Sequence, residues 1–309
     1  MYFSRPIDDV LKSWTASKNR RPLVLRGARQ TGKTAAAREI GAQFECFLEL
    51  NLERRDDLSL FRQCETVEEL LSSLRIRHDI VRFPPRTLIF IDEIQESPKA
   101  IKWLRFLYED HPELAVITAG SLMEVRLQER GFSFPVGRVT YRYLHPFTFI
   151  DFLKATTRRV LAEQIEFAGQ TPTPLSAAVH NAALSSLREY LLVGGMPAAV
   201  NQWVETNSPT AVRQIHTDLL QSFADDLLKY GGPGTTEALH AAFDALPLHC
   251  GARFKYENFA PGHRSKSMKL ALTKLEGAML IERVLPTSSF APPFQTRPRS
   301  APKLMFVDV

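Results

Sequence analysis

Eight consecutive residues, Gly27-Ala28-Arg29-Gln30-Thr31-Gly32-Lys33-Thr34, have the types and spacing to hold a chain of phosphates. Gly27, Gly32, Lys33 and Thr34 stand in the fixed places of the pattern G-x-x-x-x-G-K-[ST]. The glycines let the backbone curl so that successive N–H groups converge on phosphate oxygens. The amino end of the helix that follows adds unpaired N–H groups and a dipole that favours an anion. On this pattern Gly27, Ala28, Arg29, Gln30, Thr31, Gly32, Lys33, Thr34 and Ala35 cradle a nucleotide such as ATP. Lys33 reaches the β- and γ-phosphates, and the Thr34 hydroxyl ligates Mg²⁺. A second signal is the apolar run Thr87-Leu-Ile-Phe-Ile that ends in Asp92-Glu93. Asp92 at such a strand tip holds the Mg²⁺, and Glu93 polarises a water for attack on the γ-phosphate. A strand ending in a solvated acidic turn is the plain alternative; the glycine loop upstream argues against it.

Two further groups could sense the γ-phosphate. The run 115–121 is an apolar strand with a polar end, and Ser121 is the first candidate to orient the lytic water, Thr118 the second. Ser121 suits a helix cap equally well. Arg138 is the arginine expected to neutralise charge on the γ-phosphate, from within the subunit or from a neighbour. A structural ion pair is the other reading, and Arg126 and Arg130 compete for the role. Arg20 and Arg21, just before the first strand, are placed either near the nucleotide or in solvent.

The elements that must position these groups are legible in outline. A capping helix is expected over 7–17, strands over 23–25, 47–52, 87–93, 115–121 and 139–144, and a helix after the glycine loop with Ala36, Ile40 and Phe44 on one face. Residues 53–75 are charged and mixed, with one helix expected over 67–74, and 94–110 reads as a single helix. Strands alternating with helices imply a right-handed, mostly parallel sheet with phosphate at the strands' carboxyl ends.

Residues 147–230 read as mostly helical, with a turn at Gly194-Gly195 before Pro197. Gly231-Gly-Pro-Gly is the clearest linker. Beyond it lie two amphipathic helices, then two strands joined by a Pro-rich stretch. Helices followed by a β-hairpin with a basic tip follow a winged-helix order. The chain of 309 residues carries a net charge of +5. Residues 237–309 hold ten Lys/Arg and six Asp/Glu, a balance of +4, which leaves +1 for the rest. That asymmetry points to a polyanion, with Lys266, Lys269, Arg297 and Arg299 as contacts to double-stranded DNA. Glu276 on the helix face of Lys269 counts against groove reading, and winged helices also serve as protein contacts. His240, His249, Cys250 and His263 match no zinc spacing. Three scattered cysteines suit free thiols in a reducing cytoplasm, and no apolar run is long enough to cross a membrane.

The motifs in this order resemble a prokaryotic family of AAA+-like P-loop ATPases whose C-terminal region is catalogued as a domain of unknown function, of the 4143 type. The matching pieces are residues 27–34, Ile91-Asp-Glu-Ile-Gln95, Thr118-Ala-Gly-Ser121, Gly137-Arg138, Leu144-His-Pro-Phe147, Gly194-Gly-Met-Pro197 and Lys303-Leu-Met-Phe-Val-Asp308. The resemblance implies an α/β core of the AAA+ (ASCE) type over 1–146, a helical lid over 147–230, and a winged-helix domain over 237–309. In that family a nuclease-like region usually continues past the position of Asp308. No Asp…Glu-x-Lys constellation precedes Val309, so a truncated C-terminal end is expected and no nuclease activity is carried over.

Together these readings point to a Mg²⁺-dependent ATP hydrolase whose lid and winged helix move while contacting DNA. The alternative is a nucleotide-gated switch or scaffold that binds a protein partner or a second copy of itself with little turnover. A P-loop kinase for a small metabolite is weaker, because Asp92-Glu93 favours water as the acceptor.

Overall fold

The computed structural model describes the chain apart from residues 121–133, 172, 232–233, 290, 298–299 and 309 and the side chain of Tyr230. It divides into two compact units, Met1–Leu144 and His145–Val309.

The first unit is built on a parallel sheet. Its strands are β1 (Leu23–Arg26), β2 (Cys46–Asn51), β3 (Thr87–Asp92), β4 (Ala115–Ala119) and β5 (Thr140–Tyr143), in the order β2-β3-β4-β1-β5. All four pairings are parallel. β4 therefore lies between the strand that precedes the glycine loop and the strand that ends in Asp92. β3 and β4 are buried along their whole length, which is why both read as unbroken apolar runs.

Helices cover both faces. Ile7, Leu11 and Trp14 of α1 (Pro6–Ala16) and Ala36, Ala37 and Ile40 of α2 (Lys33–Gly41) pack against Leu23, Leu25, Leu88, Phe90 and Ile117. On the other face, α3 (Arg55–Gln63), α4 (Val67–Arg77) and α5 (Pro98–Asp110) pack on Val24, Leu48, Leu50, Ile89 and Ile91. At about 25 cal/mol per Å², burial of these aliphatic side chains is the main stabilising term.

Two expectations need correction here. Residues 53–75 hold two helices, not one. α3 escapes a periodicity search because it buries only Asp57 and Phe61. The Asp57 carboxylate is anchored instead, accepting from the Asn51 N–H at 2.9 Å and from Arg77 at 2.6 Å. Residues 94–110 are not one helix either. A 3₁₀ turn at Ile94–Glu96 is cut off from α5 by Ser97, which takes an extended conformation before Pro98 and accepts the Ala100 N–H as N-cap.

The second unit begins with α6 (Phe149–Ala155), α7 (Arg159–Gln170), α8 (Ala177–Val193), α9 (Pro197–Thr206) and α10 (Pro209–Tyr230). α11 (Thr236–His249) and α12 (Ser265–Gly277) follow, then the antiparallel pair β6 (Ile281–Val284) and β7 (Lys303–Phe306). Isolated bridges add Cys250 and Arg253 to the free edge of β7. Met268, Leu272 and Leu275 form the expected buried stripe of α12, but Met279, expected to continue it, lies past the helix end at φ +60° and is half-buried. The cysteines Cys46, Cys64 and Cys250 are free, and no helix among the described residues is long and apolar enough to cross a membrane.

The Gly194-Gly195 turn is a junction. Gly194 ends α8 with φ +74°, and Pro197 opens α9. The Gly195 carbonyl accepts the Phe147 N–H at 2.7 Å, and the Gly195 N–H donates to Asp308 Oδ1 at 2.7 Å. The Tyr190 hydroxyl donates to the Phe147 carbonyl, and burial together with the charge of Asp308 pushes it up to about 12. A Cβ at Gly195 would lie 2.2 Å from the Phe147 carbonyl oxygen. Gly195→Ala is therefore expected to lower stability by about 3 kcal/mol through overpacking, read as a fall in the urea midpoint.

Candidate functional site

The first unit brings the two strongest motifs together. The loop leaves β1 at Gly27, whose φ is +156°, and closes at Gly32, whose φ of +92° makes it the N-cap of α2. Gln30 also lies in the left-handed region, at φ +64°. Leu144 braces the loop from beneath. Its N–H donates to the Arg26 carbonyl at 2.7 Å, and its own carbonyl oxygen would lie 2.2 Å from a Cβ at Gly27. Only glycine fits there. Inside the curl the Thr31 hydroxyl donates to the Ala28 carbonyl at 2.9 Å. Ala28, Thr31 and Lys33 are buried, while Gln30 and Ala35 are exposed and Arg29, Gly32 and Thr34 are half-buried.

The Lys33 ammonium donates to the carbonyls of Gly27 at 3.0 Å and Ala28 at 2.8 Å. Burial lowers its pKa to about 8, against the opposing charges of Glu93 and Asp92. The Thr34 hydroxyl donates to Asp92 Oδ2 at 2.7 Å, across 58 residues of sequence. Burial pushes the Asp92 carboxyl above its usual range, and the Thr34 hydrogen bond opposes this. Two hard oxygen groups thus face each other beside the loop, the donor type that suits Mg²⁺. Glu93 is next along the chain. Its N–H donates to Asp92 Oδ1 at 3.1 Å, and its φ of +50° turns the backbone sharply off the strand.

Other predicted residues are placed differently. Arg138 precedes β5, at the amino end of a parallel sheet whose carboxyl end carries the loop. Its Nε donates to Glu109 Oε1 at 2.8 Å, and the guanidinium groups of Arg138 and Arg105 hold that carboxyl below its usual range. The structure does not bring Arg138 to the loop within the chain. Arg20 is likewise spoken for, donating to the carbonyls of Thr15 and Glu113, and Arg21 is exposed. Thr118 is fully buried opposite Val24 and Ile91, on the sheet face away from α2. Ser121, Arg126, Arg130 and Arg299 lie outside the described residues. In the second unit Lys266, Lys269 and Arg297 are exposed.

Sequence reasoning missed Arg5. Its side chain is buried and its Nη1 donates to the Thr31 carbonyl at 3.0 Å. Asp8 secures the segment by accepting the Arg5 N–H at 2.7 Å and the Tyr2 hydroxyl at 2.5 Å. The local clue is Asp8 three residues after Arg5, but the contact to Thr31 spans 26 residues. Arg5→Met should cost about 2 kcal/mol of stability, the worth of one charge-assisted hydrogen bond, read from urea unfolding.

Residues 19–153 match the family model of the AAA domain. Residues 184–309 match domain of unknown function 8612, a different type from the one the motifs resemble. No curated protein matches the sequence. Among solved structures, the Walker-type ATPase PABY2304 of Pyrococcus abyssi aligns with 14 % identity over 91 % of each chain, at a TM-score of 0.56. C. elegans PCH-2 aligns with 12 % identity over 89 % of this chain and 69 % of its own, at a TM-score of 0.34. The glycine loop, the aspartate strand beside it and the AAA match over the same residues lead to one conclusion: the protein is an ATPase in which residues 19–153 form an AAA-like P-loop domain, followed by a separate region, 184–309, that matches a domain of unknown function.

Proposed function

We propose that the first unit hydrolyses ATP by water attack on the γ-phosphate and that the second unit carries a winged helix that contacts double-stranded DNA. The observation that supports the chemistry best is the 2.7 Å contact between Thr34 and Asp92, with Glu93 beside it. Thr34 and Asp92 are the residues to hold Mg²⁺, which when bound screens phosphate charge. The loop N–H groups and Lys33 bind the phosphates. Glu93 takes the proton of the attacking water. Ser121 is retained as the group that orients that water. Arg138, held by Glu109 at the amino edge of the sheet, enters this reading only as an arginine offered to a neighbouring subunit.

The second unit supports the DNA reading by order and by charge. α11, the strand-like residues 250–253, the 3₁₀ turn Tyr256–Asn258, α12 and the β6–β7 hairpin follow the winged-helix sequence. α12 then takes the place of the recognition helix. The structure also removes an objection: Glu276 is engaged by Arg283 of β6, through Nε at 2.9 Å and through Nη2. Lys266 and Lys269 have no ion-pair partner among the described residues. Arg297 lies on the returning arm of the hairpin, between the Thr287–Thr296 bridge and β7, with its N–H donating to the Pro286 carbonyl at 2.9 Å, so it is not at the hairpin tip where the basic residues were expected.

The test is an ATPase assay with and without duplex DNA, paired with a salt titration of DNA binding. Stimulation by DNA is expected. Lys266→Glu with Lys269→Glu should weaken binding to all sequences and flatten the log K against log salt slope by about 2. A flat, near-zero rate with tight ATP binding would favour the switch that binds a protein partner.

A further inference from the structure

The structure contains a glutamine that the ATPase reading does not use. Gln95 sits in the 3₁₀ turn between the tip of β3 and α5, and it is only 2 % exposed. Its Nε2 donates to Glu93 Oε2 at 2.5 Å. Its Oε1 is buried and has no hydrogen-bond partner among the described residues. The amide orientation follows from chemistry: an ionised carboxylate only accepts, so the NH₂ end must face Glu93 and the carbonyl end must face away.

Glu93 needs an external hold. Its backbone is left-handed, at φ +50° and ψ +45°, a conformation that costs a non-glycine residue energy and persists only where the surroundings enforce it. Two contacts contribute to that hold, besides the bond from its N–H to Asp92. The Glu93 carbonyl accepts the Glu96 N–H at 3.0 Å, and Gln95 grips the carboxylate. A neutral amide is suited to this task because it donates without carrying a positive charge that would compete with Lys33 for the phosphates.

We propose that Gln95 is a positioning residue for ATP hydrolysis: its buried amide Nε2 fixes the Glu93 carboxylate in the orientation from which it takes the proton of the attacking water. No bond changes at Gln95 itself. The water gives one proton to Glu93 and forms a new bond to the γ-phosphorus as the bond from that phosphorus to the β–γ bridging oxygen breaks and ADP leaves. This rests on the reading of Glu93 as the base.

The test is a double-mutant cycle on the full chain with Mg²⁺ and ATP. Gln95→Met keeps the length and removes both amide functions. It should lower kcat about 10- to 100-fold, the usual effect of losing a partner that orients a reactive group. The Kd for ATP should stay within about twofold, so the loss appears in kcat and not in binding. In a Glu93→Gln background the same change should have no further effect, because Gln95 acts through Glu93. Gln95→Glu, nearly the same size, guards against a folding artefact and should lose kcat similarly, since it places a second carboxylate against the first. The inference is overturned if either variant binds ATP and keeps kcat within about twofold, or if Gln95→Met lowers the residual rate equally in the Glu93→Gln background. If Glu93→Gln alone hydrolyses ATP at the original rate, it is the reading of Glu93 that fails.

Discussion

Lys33→Ala should abolish ATP binding while the protein stays folded. The Lys33 ammonium is buried in the loop and is the cationic group expected to meet the β- and γ-phosphates. A charge-assisted hydrogen bond contributes about 1.5–3 kcal/mol, so losing two phosphate contacts predicts a Kd at least about a hundredfold higher. The structural cost should be smaller. Burial already disfavours the charged form of this side chain, which offsets part of what its bonds to the Gly27 and Ala28 carbonyls contribute. Isothermal titration with ATP and thermal unfolding of the same sample separate the two effects. Binding within about threefold of the original would exclude Lys33 from the phosphate site.

Glu93→Gln should do the opposite, keeping binding and losing turnover. Glutamine has the size of glutamate, and its amide oxygen can still accept the Gln95 bond, so the turn after β3 should hold. What it cannot do is take a proton. Positioned general bases contribute about 10²–10⁴-fold, and kcat should fall within that range while Kd changes little. Phosphate release under saturating ATP is the measurement, with titration as the control. An unchanged rate would mean that some other group activates the water.

These two variants test what was most legible in the sequence. The loop and the Asp92-Glu93 tip are local patterns, and local patterns carry their geometry with them. Arg138 shows where such reading stops. Its distance from the loop depends on which end of β5 it occupies, and that is set by strand direction and register, not by residue type. Arg5 was hidden for a related reason, since its partner is a backbone carbonyl, which has no signature in sequence. Ser97-Pro98 could have been read as a break, because a residue before proline resists the helical conformation. The helix face of Glu276 was read correctly, but its neutralisation by Arg283 required the pairing of α12 with the hairpin that follows it.

The brace beneath the loop has a mechanical meaning. Leu144 carries the carbonyl that fills the space a side chain would need at Gly27. The same residue is tied to β1, because its N–H donates to the Arg26 carbonyl at 2.7 Å. The floor under the loop is therefore part of the sheet itself. The curl at Gly27 is set by strand pairing and not by the ligand, so the cradle is formed before a phosphate arrives.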